Sequence, residues 1–199
     1  LIDERSDHIL RKGGMCPGDV LILTKPIGTG TLFAAHARLE AKGRWIDDAL
    51  QSMRHSNRLG AECLRRFGAT ACTDLTGFGL LGHLVEMTRP SGVDAILYLS
   101  ALPILDGAEE TVAAGILSSL QPANVRLRRA IRDAKVTVNH PRYPLIFDPQ
   151  TAGGLLASIP ANQADSCVRE LIALGYPRAC IIGSIHPQGD ALEPVLLRD

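Results

Sequence analysis

The chain has 199 residues, 46% hydrophobic and 21% charged, with 19 glycines, the make-up of an ordinary globular protein. Lysine plus arginine and aspartate plus glutamate number 21 each, so no overall field draws nucleic acid or an anionic membrane. No apolar stretch is long enough to span a membrane, and none has the pattern of a signal peptide. The length fits one domain that buries roughly 70% of its unfolded surface. Cys16, Cys63, Cys72, Cys167 and Cys180 are odd in number and widely spaced, which fits neither a zinc site nor a disulfide framework. A reducing, cytoplasmic location is the expectation, with Cys63 and Cys72 as small core residues. The arginines at 126, 128, 129 and 132 form a local run that reads as a solvated helix face. The first residue is Leu1 rather than Met, so the chain reads as a fragment or an excised domain.

Residues 1–18 are polar and broken by Gly13-Gly14 and Pro17-Gly18, as in a linker entering the domain at residue 19. Val20 to Thr24 is a continuous apolar run suited to a buried strand. Lys25 to Gly30 breaks it, and a short helix follows from about Thr31 to Ala41. A longer helix is expected from Asp47 to Phe67, because Ile46, Leu50, Met53, Ala61, Leu64 and Phe67 recur at helical spacing. Asp47-Asp48 would favour its N-terminus, and Asn57 is its polar stripe member, either a satisfied buried amide or a residue facing a site. Ala69 to Thr73 reads as a strand, with a helix running to about Met87, and Val93 to Leu99 as a third strand. Residues 104 to 135 look helical but interrupted at Gly115 and Pro122. Leu145 to Phe147 could be a strand. Leu155 to Ile159 reads as a strand, Asn162 to Leu174 as a helix and Cys180 to Ile185 as another strand. The irregular insertions argue against a plain doubly wound sheet. The expected class is α+β, a mixed sheet packed with helices.

Three glycine loops concentrate the candidate chemistry. In Lys25 to Gly30, a strand-to-helix turn leaves the N–H groups of Gly28, Thr29 and Gly30 free to meet an anion, with Lys25 as a point charge. The spacing fits neither a Walker A loop nor a dinucleotide fingerprint, so by itself the loop is a weak signal, and a Pro-Gly turn with a solvated lysine is the simpler account of it. Asp74 is followed by Gly77, Gly79 and Gly82 in six residues, and it lies where α/β sheets place ligands. A lone carboxylate repels phosphate, but a divalent cation between them reverses the sign. Alternatively, Asp74 or Thr76 caps the following helix. His83 reads as a packed or hydrogen-bonded histidine. In the third loop, Asp148 before Pro149 is held extended, and Gly153-Gly154 permits close approach by a ligand or by backbone. No nucleophile elbow and no paired histidines with metal spacing occur, so nothing here looks like a complete active site.

The strings Leu23 to Gly30, Thr73-Asp74-Leu75-Thr76-Gly77-Phe78-Gly79-Leu80-Leu81-Gly82-His83, and Asp148-Pro149-Gln150-Thr151-Ala152-Gly153-Gly154-Leu155-Leu156 stand in this order. Together they resemble the C-terminal half of the selenophosphate synthetase (selenide, water dikinase) family. Ser118 to Asn124 fits the same family more loosely. The resemblance covers the chain after the linker, residues 19–199, and implies the C-terminal domain of the aminoimidazole-ribonucleotide synthetase-like superfamily. It implies a magnesium-requiring enzyme that converts selenide, ATP and water to selenophosphate, AMP and orthophosphate. It implies an N-terminal domain with most of the nucleotide site, further metal-binding aspartates, a reactive Cys or selenocysteine with its lysine, and most of a homodimer contact. By the same resemblance, the C-terminal domain closes over the phosphates and supplies Asp74 as a magnesium ligand. Lys25, Gly28, Thr29, Gly30, Thr76, Gly77, Gly79, Gly153 and Gly154 are the positions that would meet the nucleotide. The catalytic nucleophile is not among these residues, and the chain alone is expected to be inactive. Two other readings stand beside this one: a non-catalytic interaction module retained from a fusion, and the C-terminal domain of a related superfamily kinase.

Overall fold

A computed structural model describes residues 9–199. Seven strands form one mixed sheet in the spatial order β2-β5-β1-β6-β3-β7-β4. They are β1 (Asp19–Leu23), β2 (Ala71–Asp74), β3 (Val93–Tyr98), β4 (Ile131–Arg132), β5 (Leu155–Pro160), β6 (Cys180–Pro187) and β7 (Val195–Arg198). Every pairing among β2, β5, β1, β6 and β3 is antiparallel, while β7 lies parallel between β3 and β4. The period of two shows in β1, where Leu21 and Leu23 enter one core and Ile22 the other. The larger core lies against α4 (Gly79–Ser91), and the smaller against α3 (Arg58–Arg66) and α8 (Ala161–Ala173). Cys63, Cys72 and Cys167 are buried free thiols of the smaller core.

The helix expected over Asp47 to Phe67 is two helices, α2 (Gly43–Arg54) and α3, with Asp47 and Asp48 inside α2 rather than at its start. Distant side chains break it. Lys25 Nζ donates to His55 O at 2.6 Å, and Tyr176 Oη donates to Ser56 O at 2.7 Å while accepting from Gly60 N at 2.8 Å. These partners satisfy backbone groups that a continuous helix would pair internally. The helix after the first loop is α1 (Thr29–Ala37), which stops before Leu39, a non-glycine residue at φ 61°. Residues 104–135 resolve into α5 (Ala108–Ala113), α6 (Gln121–Asn124), a 3₁₀ turn (Val125–Ala130), β4 and α7 (Ala134–Thr137). Leu145–Phe147 belongs to a buried 3₁₀ turn rather than a strand. It starts at Pro144, which lacks a strand's N–H donor, and Asn124 Nδ2 and Gln121 Nε2 bond the carbonyls of Phe147 and Pro144. β7 follows a polar stretch and carries no apolar run long enough to announce it.

Residues 1–8 of the expected linker lie outside the described residues. The remainder packs on the domain: Met15 is buried, and the N–H groups of Gly14 and Met15 both donate to Ser91 Oγ.

Candidate functional site

Sheet topology brings the three glycine loops together. β5 runs antiparallel between β1 and β2, with Leu156 opposite Leu23 and Leu155 opposite Asp74. The loop entering β5 therefore lies beside the loops leaving β1 and β2. The main chain fastens them: Thr24 N donates to Leu155 O at 3.0 Å, Leu75 N to Gly154 O at 2.9 Å, and Gln150 N to Thr76 O at 3.0 Å.

At the start of α1 the free donors are already matched. Gln150 Oε1 accepts from Gly28 N at 3.0 Å, Thr29 N at 3.3 Å and Thr29 Oγ1 at 3.2 Å. Asp148 Oδ2 accepts from Gly30 N at 3.0 Å and from Gln150 Nε2 at 3.0 Å. The third loop thus supplies the cap that α1 lacks from its own residues. Asp148 is fully buried, and its Oδ1 has no hydrogen-bond partner. Burial pushes its carboxyl up to about 7, against the opposing pull of the bonds from Gln150, Gly30 and Thr31.

Lys25 is 4% exposed, and its ammonium meets carbonyls: His55 O and, at 3.3 Å, Ala152 O. His55 is the C-cap of α2, so the charge sits at the negative end of that helix. Burial lowers the lysine's pKa. Asn57 is the satisfied-amide case at one atom, since its Nδ2 donates to Gly153 O at 2.9 Å. Lys25, Gly153 and Gly154 therefore knit the loops to α2 and to one another.

The second loop is arranged differently. Asp74 ends β2 exposed, and its carboxylate makes no hydrogen bond or ion pair among the described residues. Neither Asp74 nor Thr76 caps α4, whose N-cap is Phe78 without a side-chain bond. Thr76 instead turns to His83. Its N–H donates to His83 Nε2 at 3.0 Å and its Oγ1 lies 3.1 Å from the same nitrogen. That nitrogen carries no proton, so the neutral ring's proton sits on Nδ1, 3.4 Å from Glu86 Oε2. Burial lowers the His83 pKa, which keeps the ring an acceptor. Gly79 is required where it stands: its φ is 71°, and a Cβ would come 3.0 Å from Ile146 O and 2.9 Å from the Phe147 carbonyl carbon. Gly77, by contrast, faces open space, with its carbonyl held by Asn124 Nδ2 at 2.8 Å.

A groove of ≈ 560 Å³ opens where the loops meet, lined by Thr29, Gly30, Gly77, Ser119, Pro149 and Thr151 among others. Leu120 also lines it, and Phe78 follows Gly77 in sequence; both side chains are more than half exposed. Among the described residues, no three His, Cys, Asp or Glu side chains stand close enough to hold a metal ion by themselves. Magnesium keeps several waters and takes one or two carboxylates plus substrate phosphates. Asp74, a single exposed hard-oxygen donor, fits a share in such an ion rather than a closed cage. Sequence reasoning passed over Gln150 and Asn124 as site residues. The Asp-Pro-Gln-Thr string was the available signal for the first, but what its amide binds depends on which strand lies beside β5.

The family described as AIR synthase related protein, C-terminal domain, matches residues 16–192. The chain is 43% identical over 185 residues to a selenide, water dikinase of Desulfitobacterium hafniense, covering 92% of this chain and 52% of that protein. It is 35% identical over 182 residues to selenide, water dikinase 2 of Peptoclostridium acidaminophilum, covering 90% and 51%. The chain spans about half the length of the curated relatives it matches. Among solved structures, hydrogenase maturation protein HypE in complex with ATP superposes with a TM-score of 0.68 at 17% identity, over 94% of this chain and 49% of that one, a likeness of fold. The chain belongs to the AIR synthase related proteins, as a C-terminal domain of the kind carried by selenide, water dikinases.

Proposed function

We propose that this chain is the C-terminal domain of an ATP-dependent selenide, water dikinase, which turns selenide, ATP and water into selenophosphate, AMP and orthophosphate. The observation that carries the reading is Asp74. It is an exposed carboxylate with no partner among the described residues, at the end of a strand and three residues before Gly77, which lines an open groove. In this reading Asp74 would be one ligand of magnesium, a group that would supply charge neutralisation for the ATP phosphates when bound. Thr76 and Gly77 present the loop edge to the phosphates. Thr29 and Gly30 form the groove wall, and Gly28, Gly79, Gly153, Gly154 and Lys25 hold the three loops in place around it. Closing this surface over the nucleotide excludes water from the transferring phosphoryl group. The nucleophile, its lysine and the rest of the nucleotide site belong to an N-terminal domain in the same proposal, as do a homodimer and a cytoplasmic location.

The test is Asp74→Asn in the full-length enzyme, read as selenide-dependent AMP formation. Turnover is expected to fall by about 100-fold or more, as for loss of a metal-orienting ligand. The melting temperature should stay within a few degrees, because an exposed carboxylate contributes little packing. Retained turnover would overturn the metal role. A full-length protein that forms no AMP from ATP and selenide would favour a non-catalytic module. The 199-residue chain alone is expected to show no turnover.

A further inference from the structure

Gln150 touches all three glycine loops, and its side chain is buried to 4% exposure. Its Oε1 takes three donors from Gly28 and Thr29, its Nε2 donates to Asp148 O at 2.8 Å and Asp148 Oδ2 at 3.0 Å, and its main-chain N–H holds Thr76 O. Thr29 Oγ1 closes the circuit by accepting from Thr151 N at 3.0 Å. Filling this space needs only a side chain of similar volume; an amide, with acceptor and donor pointing opposite ways, is needed only for the bonding pattern. Asp148 depends on that pattern too, because its Oδ1 has no partner and its Oδ2 rests on Gly30 and Gln150.

We propose that Gln150 is a positioning residue for phosphoryl transfer. Its amide clamps the start of α1 to the third loop while its N–H fixes Thr76, two residues beyond Asp74, so that the Asp74 carboxylate meets the nucleotide at a set place. This rests on the dikinase reading above. Asp148 is the ionisable group on the amide. Its environment consists of burial and bonds from Gln150, Gly30 and Thr31, with no charged side chain contributing.

Gln150→Glu in the full-length enzyme separates positioning from bulk. The variant keeps the shape and the main-chain N–H but replaces the donor that faces Asp148 with an acceptor. Two carboxyls in contact cannot both ionise without strong repulsion, whereas one shared proton restores an O–H donor. We expect kcat to fall by about 10-fold or more near pH 9, where the shared proton is lost, as for loss of an orienting partner, and to recover substantially near pH 6. KM for ATP should change less than kcat. A merely structural role would give a loss that tracks the melting temperature at both pH values. Should Gln150→Glu not fold, Gln150→Met takes its place: it keeps the volume but neither accepts from Gly28 and Thr29 nor donates to Asp148, and kcat is expected to drop by a similar factor at both pH values because no second carboxyl is introduced. Wild-type kcat in the folded variant at both pH values overturns the proposal. The two readings fail separately: a wild-type enzyme without selenide-dependent turnover defeats the dikinase reading. Turnover that Asp74→Asn abolishes and Gln150→Glu leaves untouched defeats the positioning role alone.

Discussion

The turn from β1 into α1 and the turn from β2 into α4 are both rich in glycine, and both end in a helix N-terminus, yet they are finished in opposite ways. At Gly28 to Gly30 the N–H groups are taken by Gln150 and Asp148 from a loop about 120 residues away in sequence. At Asp74 to Gly79 no side chain caps the helix, the carboxylate is exposed and Gly77 borders open space. Glycine is present in the first turn because another loop must press against it. In the second, Gly79 answers to packing and Gly77 does not. Counting glycines therefore cannot separate a ligand cradle from a tight internal joint; the polar partners of the N–H groups can.

The sharpest way to break this contrast is to add one methyl group to the closed turn. Gly30→Ala would gain about 1 kcal/mol from helix propensity alone. Against that, the new Cβ would lie 2.5 Å from Asp148 Oδ1 and 2.6 Å from Pro149 O, a backbone atom that cannot rotate away. Overpacking of this kind costs about 1–3 kcal/mol, and the contact with a backbone atom places this case at the upper end, so a net destabilisation of ~2 kcal/mol is expected by chemical denaturation. A neutral or stabilising result would mean that the third loop does not press on α1.

A second test uses the charge state of that joint. A carboxyl raised from its ordinary value to about 7 is protonated in the native chain where the unfolded chain is already ionised. Its contribution to stability is fully present below about pH 4 and is lost as pH rises toward and through about 7. Asp148→Asn keeps the neutral shape and does not titrate. From about pH 5 to pH 8 the stability difference should therefore shift in favour of the variant, by on the order of 2 kcal/mol. His83 works the other way. Its pKa is lowered chiefly by burial, so its contribution is present above its ordinary value near 6.5 and is lost as pH falls through the native value. In the wild type His83 therefore offsets part of the loss due to Asp148 between pH 4 and 7, and in Asp148→Asn the His83 trend, a gain with rising pH, is left unopposed. A stability difference that does not move with pH would place Asp148 in the ordinary carboxylate range.

The parts legible in the sequence are those whose cause is local. The apolar run of β1, the strand β5 and the helix α8 fall within a residue or two of their expected places, and the mixed sheet follows from their irregular spacing. The break at His55 to Asn57 was hidden because its causes, Lys25 and Tyr176, lie far off in the chain. The site was legible as three strings but not as a joint. That β5 runs between β1 and β2 is a fact of topology, and only that placement makes Gln150 a partner of Gly28 and Thr29. Lys25 reads as a phosphate contact in sequence because a lysine after a strand suggests one, whereas its ammonium closes the end of α2.

The smallest expected effect on stability belongs to the open turn. A Cβ at Gly77 meets nothing within 4 Å, and this glycine is not at positive φ. Gly77→Ala should thus leave stability within about 0.5 kcal/mol of wild type, in contrast to Gly30→Ala. Its carbonyl bond from Asn124 Nδ2 does not depend on a hydrogen at Cα, so the loop should keep its shape. In the full-length enzyme the methyl would stand on the groove wall where the proposed nucleotide phosphates pass, and KM for ATP should rise by several-fold with the fold intact. If both stability and KM are unchanged, the nucleotide does not approach this edge, and the open turn serves Asp74 alone. If stability falls as far as in Gly30→Ala, the turn is not open, and the contrast between the two loops is lost.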